Sequence, residues 1–185
     1  MQHYGFPTRL LDWSSSMVIA LYFALDGKTQ YNNSGKEIER VVWAMTMGVI
    51  NRFNLVGSDT TITPVGRRNG TGEKYLPSPL RLFGEDNSLE FEQNPLAIRM
   101  ASTNKRINAQ KGCFTIHGSN PKGIEEIMIE KGISNELKKF IFNEKTARQM
   151  KDSLYKMQIN EDDIYQDLNS LSKRIIRQRK IGEQI

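Results

Sequence analysis

Apolar positions at helical spacing follow a turn near the start of the chain. Gly5 and Pro7 predict the turn, which leads into a short extended segment at residues 10–13. One helical face is then formed by Val18, Leu21, Tyr22 and Leu25. This spacing predicts a helix over residues 18–25, and the three serines before it can cap its free backbone N–H groups. The segment is therefore predicted to be a strand-turn-helix unit.

The middle of the chain alternates short apolar runs with polar, glycine-rich segments. Strands are predicted at residues 41–45 and 112–117, and 95–100 is a further short apolar stretch. Residues 26–36 and 101–111 are predicted to be loops. Residues 57–79 contain four glycines and three prolines with little periodicity, which is typical of a long surface excursion.

Helical patterns dominate beyond residue 119. Helices are predicted at residues 136–141, 143–156 and 162–180, and an apolar stripe runs along Ile164, Leu168, Leu171 and Ile175. Strands come first and helices last, so we predict an α+β fold with a split, mostly antiparallel sheet, flanking helices and a helical C-terminal end. We expect one domain over residues 1–185, with a strand-rich part at 1–118 and a helical close at 119–185.

Charge does not point to a nucleic-acid partner. Lysine and arginine total 26 against 21 for aspartate and glutamate, a formal net charge of +5. The basic residues are spread along the chain before they become frequent at 173–180, and a run of charges on a terminal helix is usually a solvated face. We therefore predict no nucleic-acid binding.

Cysteine and histidine usage argues against metal and disulfide chemistry. Cys113 is the single cysteine, and the two histidines have no zinc-ligand spacing. Inside a strand, Cys113 is expected to be an inert thiol. No apolar stretch approaches the roughly 20 residues that span a bilayer, and no basic and then apolar leader follows Met1. A cytoplasmic protein without a metal or a membrane segment is expected.

Two motifs carry a family resemblance. Residues 2–13 have the pattern Gln-His-Tyr-Gly-x-Pro-Thr-Arg-Leu-Leu-Asp-Trp, continued by Ala-Leu-Tyr-Phe-Ala at 20–24. In residues 104–118 an arginine, a glutamine and a glycine precede a Phe-Thr strand. Both resemble the FRG-domain family in sequence and order, and residues 162–171, with Tyr165 and an Asp-Leu pair, are similar to the family's closing helix.

The resemblance departs from the family at its start. The Phe-Arg-Gly strand that names the family lies upstream of the first motif, where this chain begins. A late gene start, a fragment and a degraded copy each account for this, so the domain is expected to be incomplete. A sheet without its first strand exposes an edge, which predicts marginal stability or pairing with another chain, including self-association.

The FRG layout is also distantly similar to ADP-ribosyltransferases, which cleave NAD. That resemblance places the serine turn of such enzymes at Ser14, and Gln110 where they have a catalytic glutamate. His3 is a candidate general base or donor. The resemblance thus implies NAD as cofactor and Ser14, Gln110 and His3 as catalytic residues. Gln110, however, is neutral and cannot supply the negative charge that stabilises the ribose in the transition state.

Five further residues are candidate cofactor contacts: Tyr4, Arg9, Asp12, Trp13 and Arg106. Arg9 with Asp12 either clamps a phosphate or forms a pair that fixes the turn. Trp13 either stacks on a ligand ring or fills the core. Tyr4 either reaches a ligand or packs internally, and Arg106 either binds a phosphate or is a solvated loop residue.

Three functions remain open. The first is an NAD-dependent ADP-ribosyltransferase-like toxin or defence effector of bacterial or phage origin. The second is a non-catalytic module that binds a nucleotide or a protein, which the neutral Gln110 favours. The third is a protein that docks to another chain through the apolar stripe of residues 164–175.

Overall fold

The fold comes from a computed structural model, which describes residues 8–54, 63–64, 75, 92–99 and 104–182. His3 and Tyr4 lie outside the described residues, as does most of the predicted excursion at 57–79. The described elements, in chain order, are β1 (Leu10–Ser14), α1 (Met17–Leu25), β2 (Arg40–Met45), α2 (Met47–Asn54), β3 (Thr63–Pro64), β4 (Leu96–Arg99), α3 (Lys105–Ala109), β5 (Gly112–Ile116), α4 (Ile124–Glu130), a 3₁₀ turn (Ser134–Glu136), β6 (Leu137–Phe142), α5 (Glu144–Lys156), α6 (Glu161–Tyr165) and α7 (Leu168–Gly182).

Two sheets are formed by the described strands. The larger has the order β1-β5-β4-β3, and the smaller pairs β2 with β6. β4 and β5 are antiparallel, whereas the two-residue β3 runs parallel to β4. Helices flank these strands, so the predicted α+β class with a mostly antiparallel sheet and flanking helices is confirmed, and the sheet is small. β1 lies at one edge of the four-stranded sheet within the described residues.

The pairing of β1 with β5 joins the two sequence motifs. The backbone N–H of His117 donates to the carbonyl of Arg9, and that of Ser15 donates to the carbonyl of Lys111, both at 2.9 Å. A later residue of β1 thus pairs with an earlier residue of β5, so the two strands are antiparallel. The end of β1 is thereby held beside the start of β5.

The chain forms two compact units. The first unit comprises Met1–Trp13, Ala44–Ala101 and Cys113–Lys138, and the second comprises Ser14–Trp43, Ser102–Gly112 and Lys139–Ile185. The boundary falls within β1, β2, β5 and β6. Each unit has buried apolar clusters of its own.

The first unit has two apolar clusters. One consists of Val49, Ile50, Ile124 and Met128, with Trp13 and Met45 packed against it. The other consists of Tyr75, Leu96, Ile98 and Ile116. A buried amide supports α2 beside the sheet: the Asn51 side chain donates to the carbonyl of Ala97 at 3.0 Å and accepts from its N–H at 2.8 Å. Both backbone groups of a buried strand residue are thus paired.

The second unit is built on α1 and α5. Its buried cluster consists of Ile19, Tyr22, Leu25, Ala147, Leu154 and Ile164. The predicted helices at 18–25 and 143–156 are confirmed as α1 and α5. The Asn143 side chain caps α5 by accepting from the N–H of Thr146 at 2.9 Å, which fixes where this helix begins.

Two predicted elements are wrong. Residues 136–141 were predicted to be helical, but Leu137–Phe142 is strand β6, because pairing with β2 outweighs a weak local pattern. The predicted loop at 101–111 contains helix α3. Asn104 caps it, since its side chain accepts from the N–H groups of Arg106 and Ile107.

The predicted helix over 162–180 is interrupted. Gln166 adopts a left-handed conformation with φ of 55°, which ends α6. Asp167 then caps α7, its side chain accepting from the N–H of Ser170 at 2.7 Å. The predicted apolar stripe is divided accordingly, because Ile164 is buried while Leu168 and Ile175 are exposed.

Only three residues of the predicted excursion at 57–79 are described. Thr63 and Pro64 form β3, opposite Ile98 and Arg99 of β4. Tyr75 is fully buried, and its hydroxyl donates to the carbonyl of Asn94 at 2.6 Å. The excursion therefore supplies a core side chain to the first unit.

Candidate functional site

Ser14 and Gln110 meet where β1 ends and β5 begins. The hydroxyl of Ser14 donates to the backbone carbonyl of Gln110 at 2.8 Å and accepts from the N–H of Ser16 at 3.1 Å. Antiparallel pairing of the two strands explains the proximity, because the turn before β5 lies opposite the turn after β1. The contact uses the backbone of Gln110 rather than its side chain.

Ser15 also bonds across the point where the end of β1 meets the start of β5, which we call the Ser14 junction. Its N–H and its hydroxyl both donate to the carbonyl of Lys111, at 2.9 Å and 3.1 Å. Lys111 is left-handed, with φ of 49°, and this turns the chain from α3 into β5. Ser16, the N-cap residue of α1, makes no side-chain cap bond. The serine turn is therefore tied to the α3–β5 turn more than to its own helix.

The side chain of Gln110 carries a buried donor. Its Nε2 has no hydrogen-bond partner among the described residues. Buried amide donors in folded proteins are nearly always paired with protein or with water. The Gln110 side chain therefore places an unpaired, uncharged N–H donor beside the Ser14 junction.

Arg106 connects this junction to a polar cluster in the second unit. It lies one turn before Gln110 in α3, and its carbonyl accepts from the N–H of Gln110 at 2.9 Å. The Arg106 guanidinium lies 5.2 Å from the ring centroid of Tyr165, a cation–π distance. Tyr165 in turn donates its hydroxyl to Asp26 at 3.0 Å.

Asp26 is an ionised carboxylate at the end of α1. Lys151 lies 3.3 Å from its Oδ1. Burial works to raise the pKa of Asp26, but the Lys151 charge, the N–H of Gly27 and the Tyr165 hydroxyl outweigh burial and lower the pKa below its ordinary value. Burial and the Asp26 charge raise the pKa of Tyr165 to about 12. Tyr165 is therefore a donor at neutral pH.

A second aromatic and acidic group lies close by in the same unit. Tyr155 donates to Glu161 at 3.2 Å, and the Arg177 guanidinium is 3.6 Å from the Tyr155 ring centroid. Arg177 also contacts Glu161 at 3.2 Å. Burial opposes ionisation of Glu161, yet hydrogen bonds and charge from Arg177 lower its pKa below the ordinary value.

The candidates in the first unit are engaged in structural contacts. Arg9 donates to the carbonyls of His117 and Tyr75. The indole N–H of Trp13 donates to the buried hydroxyl of Thr115 at 3.1 Å while its ring packs against a core cluster. Asp12 is exposed on β1. Among the described residues, Arg9 and Trp13 thus make contacts that stabilise the fold, and their roles as ligand contacts stay predictions.

Other reactive groups are inert or dispersed. Burial raises the pKa of the Cys113 thiol and lowers that of His117. No group of three histidine, cysteine or acidic side chains in the described part of the chain is arranged to hold a metal ion. A hollow in the first unit, lined mainly by apolar residues of α2 and α4, has a volume of about 10 Å³, which is no more than one water molecule requires.

Comparison with known proteins locates the first motif in a family. Residues 1–33 match the FRG domain. The match supports the FRG family for this segment, which includes β1, the serine turn, α1 and Asp26. No curated protein and no solved structure matches the chain. None of the helices among the described residues is long and apolar enough to cross a membrane.

The FRG segment supplies only part of the candidate site. Ser14 and Asp26 lie within it, whereas Gln110, Arg106 and Tyr165 come from later in the chain. Sequence reasoning missed Asp26 and Lys151 as members of the site. The available signal for Asp26 was its position directly after the apolar face of α1, where it also ends the helix.

Proposed function

We propose that this FRG-domain protein is a non-catalytic nucleotide-binding module, which binds NAD or ADP-ribose without cleaving it. Ser14, Gln110 and Arg106 contribute the binding groups. The observation that carries the proposal is the hydrogen bond from the Ser14 hydroxyl to the Gln110 carbonyl, beside a neutral amide side chain. In an ADP-ribosyltransferase, the corresponding serine would orient a carboxylate.

In the part of the chain that the structure describes, no carboxylate bonds to the Ser14 hydroxyl, which supports binding over turnover. Among the described residues, the Ser14 hydroxyl is bonded to the Gln110 carbonyl and the Ser16 N–H, and neither is acidic. An amide can donate to a ribose hydroxyl, but it cannot stabilise the positive charge that develops as the glycosidic bond breaks. The buried Nε2 of Gln110 is a donor suited to that ribose contact.

Positive electrostatic groups support recognition of the diphosphate. α1 has nine residues, no acidic residue in its first turn and no side-chain cap bond from Ser16. The N-terminal end of such a helix attracts anions. Arg106 supplies a guanidinium on α3, held over Tyr165, and a guanidinium suits phosphate oxygens.

Calorimetric titration of the protein with NAD, ADP-ribose and nicotinamide tests the proposal. We expect NAD and ADP-ribose to bind and nicotinamide alone not to bind. Arg106→Gln should weaken ADP-ribose binding about tenfold, the effect of losing one charge-assisted contact. Lys105→Gln is the matched control, because Lys105 is its exposed neighbour on α3 and should change the affinity by less than about twofold.

A parallel assay separates binding from catalysis. Nicotinamide release from NAD would be followed by chromatography for the unmodified protein and for Ser14→Ala. Release that Ser14→Ala abolishes would establish a transferase or NAD hydrolase and overturn the non-catalytic assignment. Absence of binding to all three ligands would overturn nucleotide recognition as well.

A further inference from the structure

Helix α7 faces its own unit with its polar side. Ser170, Arg174 and Arg177 follow a spacing of four and three and therefore share one face. Ser170 is buried, Arg174 contacts Asp162 at 3.1 Å, and Arg177 contacts Glu161 at 3.2 Å. Ion pairs to α6 thus hold the inward face of α7.

The opposite side of α7 is apolar and turned outward. It carries the outward stripe, defined as Leu168, Ile175 and Ile176, and the half-buried Leu171 lies beside it. Leu168 is 82% exposed, and Ile175 and Ile176 are each 54% exposed. A surface helix normally buries its apolar side and exposes its polar side. Because α7 does the reverse, the stripe has the character of a contact surface.

Charge restricts what can cover this stripe. α7 contains five basic residues and no acidic residue. Two of the five, Arg174 and Arg177, point to acidic partners on α6. Lys173 and Lys180 are exposed on the flank of the stripe, and Arg179 is exposed among its apolar positions. The surface is therefore apolar with a basic border.

We propose that the outward stripe docks an acidic amphipathic helix of another protein. Leucine-like side chains of the partner would cover Leu168 and Ile175, and its carboxylates would face the basic border. A second copy of α7 fits poorly, because basic borders would oppose each other. A bilayer fits less well than a protein, since α7 lacks aromatic residues and Arg179 lies among the apolar positions.

The test uses a labelled synthetic helical peptide with a leucine stripe flanked by glutamates, followed by fluorescence anisotropy. We expect saturable binding that weakens with added salt. The double variant Leu168→Ser/Ile175→Ser should weaken binding by more than about tenfold, because both residues would lose their apolar contacts. The matched control is Met157→Ser, a change at a residue of the same unit that is 59% exposed; it should leave binding unchanged.

A charge variant tests the border separately from the stripe. Lys173→Gln/Lys180→Gln should weaken binding and flatten its salt dependence, and a peptide with lysines replacing the glutamates should not bind. The proposal is overturned by failure of the glutamate peptide to bind, or by binding that the stripe variant does not reduce. Stripe-dependent binding to phosphatidylglycerol vesicles without peptide binding would assign the surface to a membrane. Stripe-dependent dimerisation in sedimentation would assign it to a second copy.

Discussion

The phenol of Tyr165 donates a hydrogen bond at 3.0 Å to Oδ2 of Asp26, although the two residues are 139 positions apart in the chain. This contact joins the end of α1 to α6. Removing the hydroxyl with Tyr165→Phe should lower the free energy of unfolding by about 1 kcal/mol at neutral pH, since Asp26 stays ionised and loses a donor. Urea unfolding of the two proteins measures the difference.

The lowered pKa of Asp26 predicts that the free energy of unfolding decreases in acid. Its folded-state pKa is lowered, so its contribution is present above the pKa of the unfolded chain and is lost as pH falls through the folded value. Asp26→Asn should therefore unfold more easily than the unmodified protein at pH 7, and the difference should shrink in strong acid. The exposed Asp152 provides the control, because Asp152→Asn should leave the stability at pH 7 nearly unchanged.

Arg177 should be a major stabilising residue of α7. It contacts Glu161 at 3.2 Å and Asn160 at 2.8 Å, and it covers the ring of Tyr155. Arg177→Ala should lower the free energy of unfolding by about 2 kcal/mol, because a partly buried carboxylate loses its partner. Lys180→Ala removes one positive charge from an exposed position of α7 and should cost less than about 0.5 kcal/mol. Equal effects would contradict the structural role of Arg177.

Replacing the side-chain amide of Asn51 should strongly destabilise the protein. The side chain is fully buried and bonds both backbone groups of Ala97. Asn51→Asp replaces a donor with a buried negative charge and should destabilise the protein by roughly 3 kcal/mol or more. Thermal unfolding checks this, and a stability near that of the unmodified protein would show that this amide pairing contributes little.

Gly118 is required because backbone carbonyls approach it closely. An added Cβ would collide with the carbonyl oxygens of Glu92 and Gln93. Gly118→Ala should therefore cost about 2 kcal/mol or more of stability through forced backbone movement. At Gly123 the same addition would meet only Glu126 Oε1, at 4.0 Å, so Gly123→Ala should change stability by less than about 0.5 kcal/mol. Chemical denaturation of both variants provides the comparison.

Elements were predicted correctly where their apolar pattern along the sequence matches the face that they bury in the fold. α1 and α5 have regular apolar spacing, and β5 is an apolar run bounded by glycines. β6 was mistaken for a helix because two lysines and then Phe140, Ile141 and Phe142 stand in succession, so its apolar and polar residues do not alternate as in a half-buried strand. The short helix α3 had one sequence signal in Asn104, a preferred cap residue, but its five residues make less than two turns, too few for apolar positions to recur along one face.

Spacing along a helix identifies a shared face but not the direction in which it points. The predicted stripe of Ile164, Leu168, Leu171 and Ile175 is broken between Ile164 and Leu168. Ion pairs of Arg174 and Arg177 with α6 hold the polar side of α7 inward, so Leu168 and Ile175 are exposed. The Ser14 junction shows a similar limit. Sequence similarity placed Ser14 and Gln110 in one candidate site, but only the backbone trace reveals that a main-chain carbonyl makes the contact.

The serine turn and α1 are completed by residues remote in the chain. Ser14 and Ser15 bond to partners 96 positions later, and Asp26 is bonded to Lys151 and Tyr165. The described part of the family-matched segment, residues 8–33, is thus held by contacts with later parts of the chain. Excised as a peptide, this segment should lack a stable helix, and its transplantation into another scaffold would require the α3–β5 turn and α5 to accompany it.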